Sequence, residues 1–359
     1  MPAQSVFDFA SLQQTWAMPS APRPITILGA GGIVRDGHLP AYRRMGLPVA
    51  GVFDVNAEAA RKLAADFDIP VVHQTLDDTL AACGTRGVFD LALPPAAILQ
   101  TVEQLPEGSI ALIQKPLGPD GAAARQIVDT LQARSVTAAT NFQLRFTPSM
   151  LAIRDAVRRG LLGDIVDVEV RLAVYMPWEL WSFIPSLDAV EIPLHSIHYL
   201  DWIRSLLGEP ESVFAKAVKH PRYPTLADAR SSIILDYGDR VRCALSLNHT
   251  YNYGPKHVEA TIRVEGTKGA AHLSVGYLID YNKPVPEKLE FVTEGGTWTE
   301  LPLKGERVPD AFGFVMANLQ RFAAGEDAVL DTDVRDSVRT MALVDAALKS
   351  SRLGGVVPE

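Results

Sequence analysis

The chain has 359 residues, and at roughly 150 residues per domain that leaves room for two domains, each with its own core. Lys and Arg total 34 against 42 Asp and Glu, a formal charge of −8 that argues against a dedicated nucleic-acid or anionic-membrane binder. Apolar residues make up 47% and charged residues 21%, which excludes a disordered chain. The two cysteines, Cys83 and Cys243, are too few for a disulfide framework or a thiolate zinc site.

Residues 1–23 form an N-terminal arm without a basic start or an unbroken apolar stretch, so no secretion signal is expected. Phe7, Phe9, Leu12 and Trp16 are its apolar anchors, if it is not a disordered arm. No run of about 18 apolar residues occurs, so no membrane span is expected, and the reading is a cytoplasmic protein. From residue 24 short apolar runs alternate with helical stretches. Strands are expected at 24–29, 48–53, near Val71, and at 88–93, 109–113 and 136–140. Helices are expected at 38–46, 56–67, 76–82, 95–105 and 119–134. This is the pattern of βαβ units around a parallel sheet, filling a first domain, 24–143.

A second domain, 144–359, opens with a helix over 147–160. Longer alternating segments follow at 165–175, 212–219, 230–237, 240–250, 257–265 and 270–275, which predicts a largely antiparallel open sheet. A helix at 195–207 interrupts them, and helices at 310–324 and 332–351 close the chain. An antiparallel sheet with an apolar face needs a cover, which points to a homodimer or homotetramer.

The strand at 24–29 runs into Gly29, Gly31 and Gly32, followed by Ile33 and Val34. In a dinucleotide-binding turn the first glycine permits the bend and the second lets the backbone approach a pyrophosphate seated over a helix N-terminus. Gly29 and Gly31 fit these roles, and the third glycine position falls on Val34. Asp54 ends the second strand, where a carboxylate accepts hydrogen bonds from the adenosine ribose and repels a 2′-phosphate, favouring NAD over NADP. Its alternative is to cap the helix that starts near Asn56.

The segments GAGGIVRDGHLPAY, LALPPAAI, QKPLG, LRFTP, RRGLLGDI, HSIHYLD and VEGTKG, spread over residues 29–269, resemble the Gfo/Idh/MocA oxidoreductases in order and spacing. The resemblance implies a Rossmann dinucleotide-binding domain followed by an α/β substrate and oligomerisation domain with an open, mostly antiparallel sheet. It also implies a nicotinamide cofactor and a sugar, inositol or related polyol substrate. Lys115 and Pro116 match the family's EKP motif, with Gln114 in place of Glu. Pro94 and Pro95, preceded by Leu93 where Thr or Asn is usual, match a loop that lies along the cofactor. The second signature is an Asp, three residues, a His, and an Asp three further on. His198 and Asp201 match it, while Leu194 replaces its first acid.

Oxidising a carbinol needs a base for the hydroxyl proton and a cation or donor at the developing oxyanion. Lys115, at a strand end, is the expected orienting cation and His198 the proton-transfer residue, with His195 a second polar group able to stand in for the missing acid. On the helix, His195, His198, Tyr199 and Trp202 are read as one face, with Ile197, Leu200, Ile203 and Leu207 the core stripe. Glu191, His195, His198 and Asp201 could be read as a metal stripe, but Pro193 interrupts it and no metal is expected. Asn141, Gln143 and Arg145 should border nicotinamide or substrate, Arg145 being alternatively a structural ion-pair partner. Tyr175, Trp178 and Trp181 could stack on a sugar ring or pack the domain interface, and His249, Tyr251, Tyr253 and Lys256 could form a substrate rim or a dimer contact. The reading is an NAD-dependent polyol dehydrogenase. Its alternatives are a redox-assisted epimerase, lyase or glycosidase that retains NAD, and a non-catalytic NAD or sugar sensor.

Overall fold

Five short strands open the chain: β1 Ile25–Leu28, β2 Val49–Phe53, β3 Val88–Leu91, β4 Ile110–Ile113 and β5 Thr137–Thr140. They pair in parallel in the order β2-β1-β3-β4-β5. Every residue of β1, β3 and β4 is buried, which is why these strands read as mostly apolar runs rather than alternating ones, with Thr26 and Asp90 the polar exceptions. The crossovers are α1 Leu39–Met45, α2 Ala57–Phe67, α3 Leu76–Cys83, α4 Pro95–Val102 and α5 Gly121–Ala133. Asn56, Thr75 and Asp120 cap the first turns of α2, α3 and α5 with side-chain oxygens. The strand expected near Val71 is only a single bridge between Val52 and Val72. This computed structural model describes residues 8–178, 183–276 and 285–355.

The chain continues through α6 Pro148–Arg158, β6 Ile165–Ala173, α7 Ile197–Leu207, β7 Ser212–Val218, β8 Arg230–Asp236, β9 Arg242–Asn248, β10 Glu259–Gly266 and β11 Gly269–Ser274. Two strands that the sequence reading lacked, β12 Lys288–Thr293 and β13 Thr299–Leu301, complete a second sheet in the order β13-β12-β11-β10-β6-β9-β8-β7. Only Leu289 and Phe291 alternate inward in β12, too short a signal to stand out. All neighbours in this sheet are antiparallel except β6 and β9. One face buries Val168, Val170, Leu172, Leu245, Ile262 and Leu273. The other carries cross-strand ion pairs such as Arg171–Glu259 and Arg263–Glu169, which being exposed add little stability.

Helices α8 Asp310–Ala323 and α9 Val334–Leu353 end the described chain. The residues form two compact units. One joins Thr15–Phe146 to Val308–Ala342, and the other joins the residues up to Gln14, Thr147–Arg307 and those from Leu343 onward. The domain division at residue 143 with everything beyond assigned to the second domain therefore differs from the structure, because α8 returns to the parallel sheet. Its Phe312, Val315, Met316 and Leu319 share a core with Ile25, Ile27, Tyr42 and Val52. Local periodicity shows that α8 has an apolar face but not which sheet that face covers. Gly37 permits the contact, since a Cβ there would lie 2.9 Å from the Phe312 ring.

The N-terminal arm is ordered where it is described. Phe9 stacks on Phe291 at 5.1 Å within the antiparallel-sheet unit, and Trp16 packs edge-on against Phe146 and donates to Asp327 within the other. Phe7 lies outside the described residues. Burial pushes the Cys83 thiol up to about 11 and the Cys243 thiol up to about 12, so neither supplies a thiolate near neutral pH. Among the described residues no helix is long and apolar enough to cross a membrane.

Candidate active site

The parallel register sets Phe53, Leu28, Leu91, Ile113 and Thr140 side by side at the strand ends. The ladder extends one residue further. The Gly29 N–H donates to Phe53 O at 2.7 Å, Ala92 to Leu28 at 2.9 Å, Gln114 to Leu91 at 3.0 Å and Asn141 to Ile113 at 2.7 Å. Asp54, Gly29, Ala92, Gln114 and Asn141 thus form a row along the carboxyl edge. The strand order reverses between β1 and β3, the place where open α/β sheets take their ligands.

Gly29 has φ +110°, and a Cβ there would lie 2.4 Å from the Ala92 carbonyl oxygen, so the turn after β1 admits no side chain at this point. Gly31 faces open space, and the helix begins immediately after it, with Val34 and Arg35 donating back to the Gly31 carbonyl. That combination, a bare backbone before a helix N-terminus, fits a pyrophosphate. Val34 is buried and can offer only backbone, whereas Ile33 is an exposed apolar side chain beside the turn. Asp54 is not the cap of α2, a role its neighbour Asn56 fills. Its Oδ2 accepts the Ala30 N–H at 2.7 Å and its Oδ1 the Asn56 N–H, so it clamps the glycine turn to the end of β2. Gly29→Ala is expected to cost at least about 2 kcal/mol and to weaken nucleotide binding; an unchanged melting temperature would show that the turn tolerates the clash.

Behind the row lies a buried polar network that the sequence reading missed. His38 Nδ1 donates to Asp90 Oδ2 at 2.7 Å and Tyr42 Oη to the same oxygen at 2.8 Å; all three side chains are fully buried. Burial, with the Asp90 charge adding to it, holds the Tyr42 phenol well above its ordinary range, so it remains a donor. With its Nδ1 proton committed to Asp90, His38 Nε2 accepts from Asn141 Nδ2 at 3.0 Å and Gln114 Nε2 at 3.3 Å. Gln114 Oε1 in turn accepts the Lys115 backbone N–H at 2.7 Å. The available signal was an acid inside the apolar strand VFDLAL and His38 four residues before Tyr42 on one helix face. Lys115 itself is half-buried, and desolvation pulls its ammonium down to about 8.

Pro94 and Pro95 begin α4, with Leu93 half-buried ahead of them, and Pro116 is buried behind Lys115 through a cis peptide bond. Gln143 is half-buried, and its Oε1 has no donor among the described residues. Arg145 is buried and bonds the Asp331 carbonyl at 2.8 Å and Asp336 at 2.9 Å, which favours its ion-pair role over substrate contact.

In the antiparallel-sheet unit, Pro193 does not break the helix. It lies in the first turn of a π-helical segment, Ile192–Ser196, that runs into α7. The expected division of α7 into a polar and a core face also fails, because Tyr199, Asp201 and Trp202 are buried along with Ile197, Leu200 and Ile203. His195, one fifth exposed, stacks on His249 with ring centroids 4.4 Å apart, and Trp178 stands edge-on to it at 5.1 Å. Glu191 Oε2 lies 2.7 Å from His249 Nδ1 and 3.7 Å from His195 Nδ1. His198 is half-buried on the next turn. Tyr175 bridges to Thr250, and Tyr251 packs edge-on against Tyr253; Trp181 lies outside the described residues.

Residues 150–272 match the GFO/IDH/MocA C-terminal domain model. The chain is 25% identical to a D-apiose dehydrogenase of Paraburkholderia graminis, covering 92% of this chain and 88% of the relative. It is also 25% identical to an inositol 2-dehydrogenase of Rhizobium meliloti, covering 90% and 95%. The solved structure of an Agrobacterium radiobacter oxidoreductase in complex with NAD+, L-tartaric acid and magnesium superposes with a TM-score of 0.78 at 18% identity, over 92% of this chain and 97% of that one. That domain match runs from α6 through most of β11 and agrees with the resemblance to the Gfo/Idh/MocA oxidoreductases carried by the sequence motifs.

Against the signatures of that resemblance the chain departs at two positions, and the structure gives each a local account. Gln114 replaces Glu where the side chain must donate to His38 Nε2, which a carboxylate cannot do. Leu194 replaces the signature acid and packs instead against the small core around Trp178 and Val190. The acid–x–x–x–His spacing of the signature recurs three residues earlier, at Glu191 and His195.

Proposed function

We propose that the protein is an NAD-dependent dehydrogenase that oxidises a hydroxyl of a sugar, inositol or related polyol, or reduces the corresponding carbonyl. The observation that carries this reading is the single row at the carboxyl edge of the parallel sheet: the glycine turn clamped by Asp54 at one end, and Lys115 beyond β4. The relatives named D-apiose dehydrogenase and inositol 2-dehydrogenase, which align over about nine-tenths of the chain, support the substrate class.

Gly29, Gly31 and Gly32 would hold the pyrophosphate, with Asp54 at the adenosine ribose and Ile33, Leu93, Pro94 and Pro95 along the apolar parts of the cofactor. When bound, NAD supplies a hydride acceptor at nicotinamide C4. Lys115, oriented through Gln114 and the His38–Asp90 pair, would stabilise negative charge on the reacting oxygen, and His198 would take the hydroxyl proton. The departure at Gln114 does not favour a sensor that has lost its chemistry, because the glutamine has a defined partner.

A panel of sugars, sugar acids and inositols assayed with NAD and with NADP tests the proposal through reduced-nicotinamide absorbance; a protein that binds NAD but reduces it with none of them contradicts it. In the same assay Asp54→Ala is expected to lower the preference for NAD over NADP by roughly 10- to 100-fold, the worth of hydrogen bonds to a charged group. An unchanged ratio would remove Asp54 from the ribose site. Assembly as a homodimer or homotetramer in the cytoplasm belongs to this proposal. Paired exposed Phe214 and Ile234 on β7 and β8 support the first, and the two free buried cysteines the second.

A further inference from the structure

We propose that Glu191, His195 and His249 form a binding site for a divalent transition ion of the zinc class. Their donor atoms all lie within 4.8 Å of one another, the one such cluster of His, Cys and acidic side chains among the described residues. A tetrahedral ion with bonds of about 2.0–2.1 Å needs donors about 3.3 Å apart. The separations of 2.7 Å and 3.7 Å from Glu191 Oε2 to the two imidazoles bracket that value, so shifts of about half an ångström suffice. Without an ion, His249 Nδ1 donates its proton to Glu191; on binding through Nδ1, the imidazole carries that proton on Nε2 instead.

The surroundings are those of a supported ligand set. Glu191 is fully buried, and its second oxygen accepts from Ser196 Oγ at 3.1 Å, Ser196 being itself in contact with Ser231. Asp228 Oδ1 accepts the Val190 and Glu191 backbone N–H groups and fixes the start of the π-helical segment, whose wide turn presents His195 toward the same carboxylate. The Trp178 indole stands edge-on to both imidazoles, and its Nε1–H is buried with no acceptor among the described residues. Three protein donors leave a fourth position for water or a hydroxyl or carboxylate oxygen of a small molecule, the pattern of an open zinc site with two histidines and a glutamate. Pro193, which seemed to break the sequence stripe, belongs to the segment that builds the site. The third ligand comes not from His198 or Asp201 but from the end of β9.

The site does not depend on the proposed hydride chemistry, and its test uses the metal alone. Chelator-stripped full-length protein is titrated with zinc chloride, and with manganese and magnesium chloride in parallel, by calorimetry and by elemental analysis after desalting. One zinc per chain with roughly sub-micromolar affinity is expected, with manganese weaker and magnesium undetected. His195→Ala and His249→Ala should each weaken zinc binding at least about 100-fold, and Ser196→Ala about 10-fold. His195 is partly exposed, so His195→Ala is the variant expected to retain the wild-type circular dichroism spectrum. Wild-type protein that retains no zinc overturns the proposal, as do folded His195→Ala and His249→Ala proteins that bind it with wild-type affinity.

Discussion

Lys115→Met is expected to lower kcat/KM for the proposed polyol substrate by roughly 10²- to 10³-fold, the usual worth of one preorganised donor at a developing oxyanion, while leaving NAD affinity within a few-fold. The methionine keeps the length and apolar stem but loses the ammonium. Desolvation sets the Lys115 pKa near 8, so the side chain is charged below that pH and neutral above it. A reaction that needs the cation therefore proceeds below pH 8 and loses rate about tenfold per unit above it. Steady-state rates from pH 6 to 10 for wild type and variant check both statements. The assignment fails if the wild-type profile is flat through pH 8, or if Lys115→Met turns over normally.

Asp90→Leu should be the most destabilising single change behind the site. It strands the His38 Nδ1–H and the Tyr42 O–H in a region with no solvent access, at about 1–3 kcal/mol for each orphaned donor. For a unit of this size that corresponds to a melting temperature lower by roughly 8–15 °C. Asp90→Asn retains an acceptor and should lose less than half as much. Because His38 also positions Gln114 and Asn141, the leucine variant should lose turnover even when assayed well below its melting point. Calorimetric scanning of the two variants decides: a loss below about 2 °C for Asp90→Leu means the network does not hold this corner of the sheet.

The parallel sheet was legible because its central strands, buried on both faces, are short and mostly apolar, and helical stretches separate them. Asp54 was legible as a residue at a strand end, but its clamp on Ala30 was not, since that bond depends on two loops meeting. The His38–Asp90–Tyr42 network left only a faint trace, an acid in an apolar strand, because its members come from three segments. The Glu191 cluster was half-visible. The i to i+4 spacing of Glu191 and His195 is in the sequence, but the contribution of His249 depends on how a distant strand ends. The destination of α8 was not readable at all, since an apolar helix face carries no address.

That return of α8 has a consequence during synthesis. The core under β1 cannot close when Phe146 leaves the ribosome, because Phe312, Val315, Met316 and Leu319 are still unmade. At 5–20 residues per second, the roughly 200 residues up to Ala342 impose a wait of about 10–40 s during which Ile25, Val52 and Tyr42 lack part of their cover. A gene fragment that stops after the dinucleotide-binding segment would leave that gap permanently open. The intervening sheet is encoded in one uninterrupted stretch from Thr147 to Arg307, so its strands can pair earlier, although the end of α9, which bonds β7 through Ser350 and Ser351, arrives last of all.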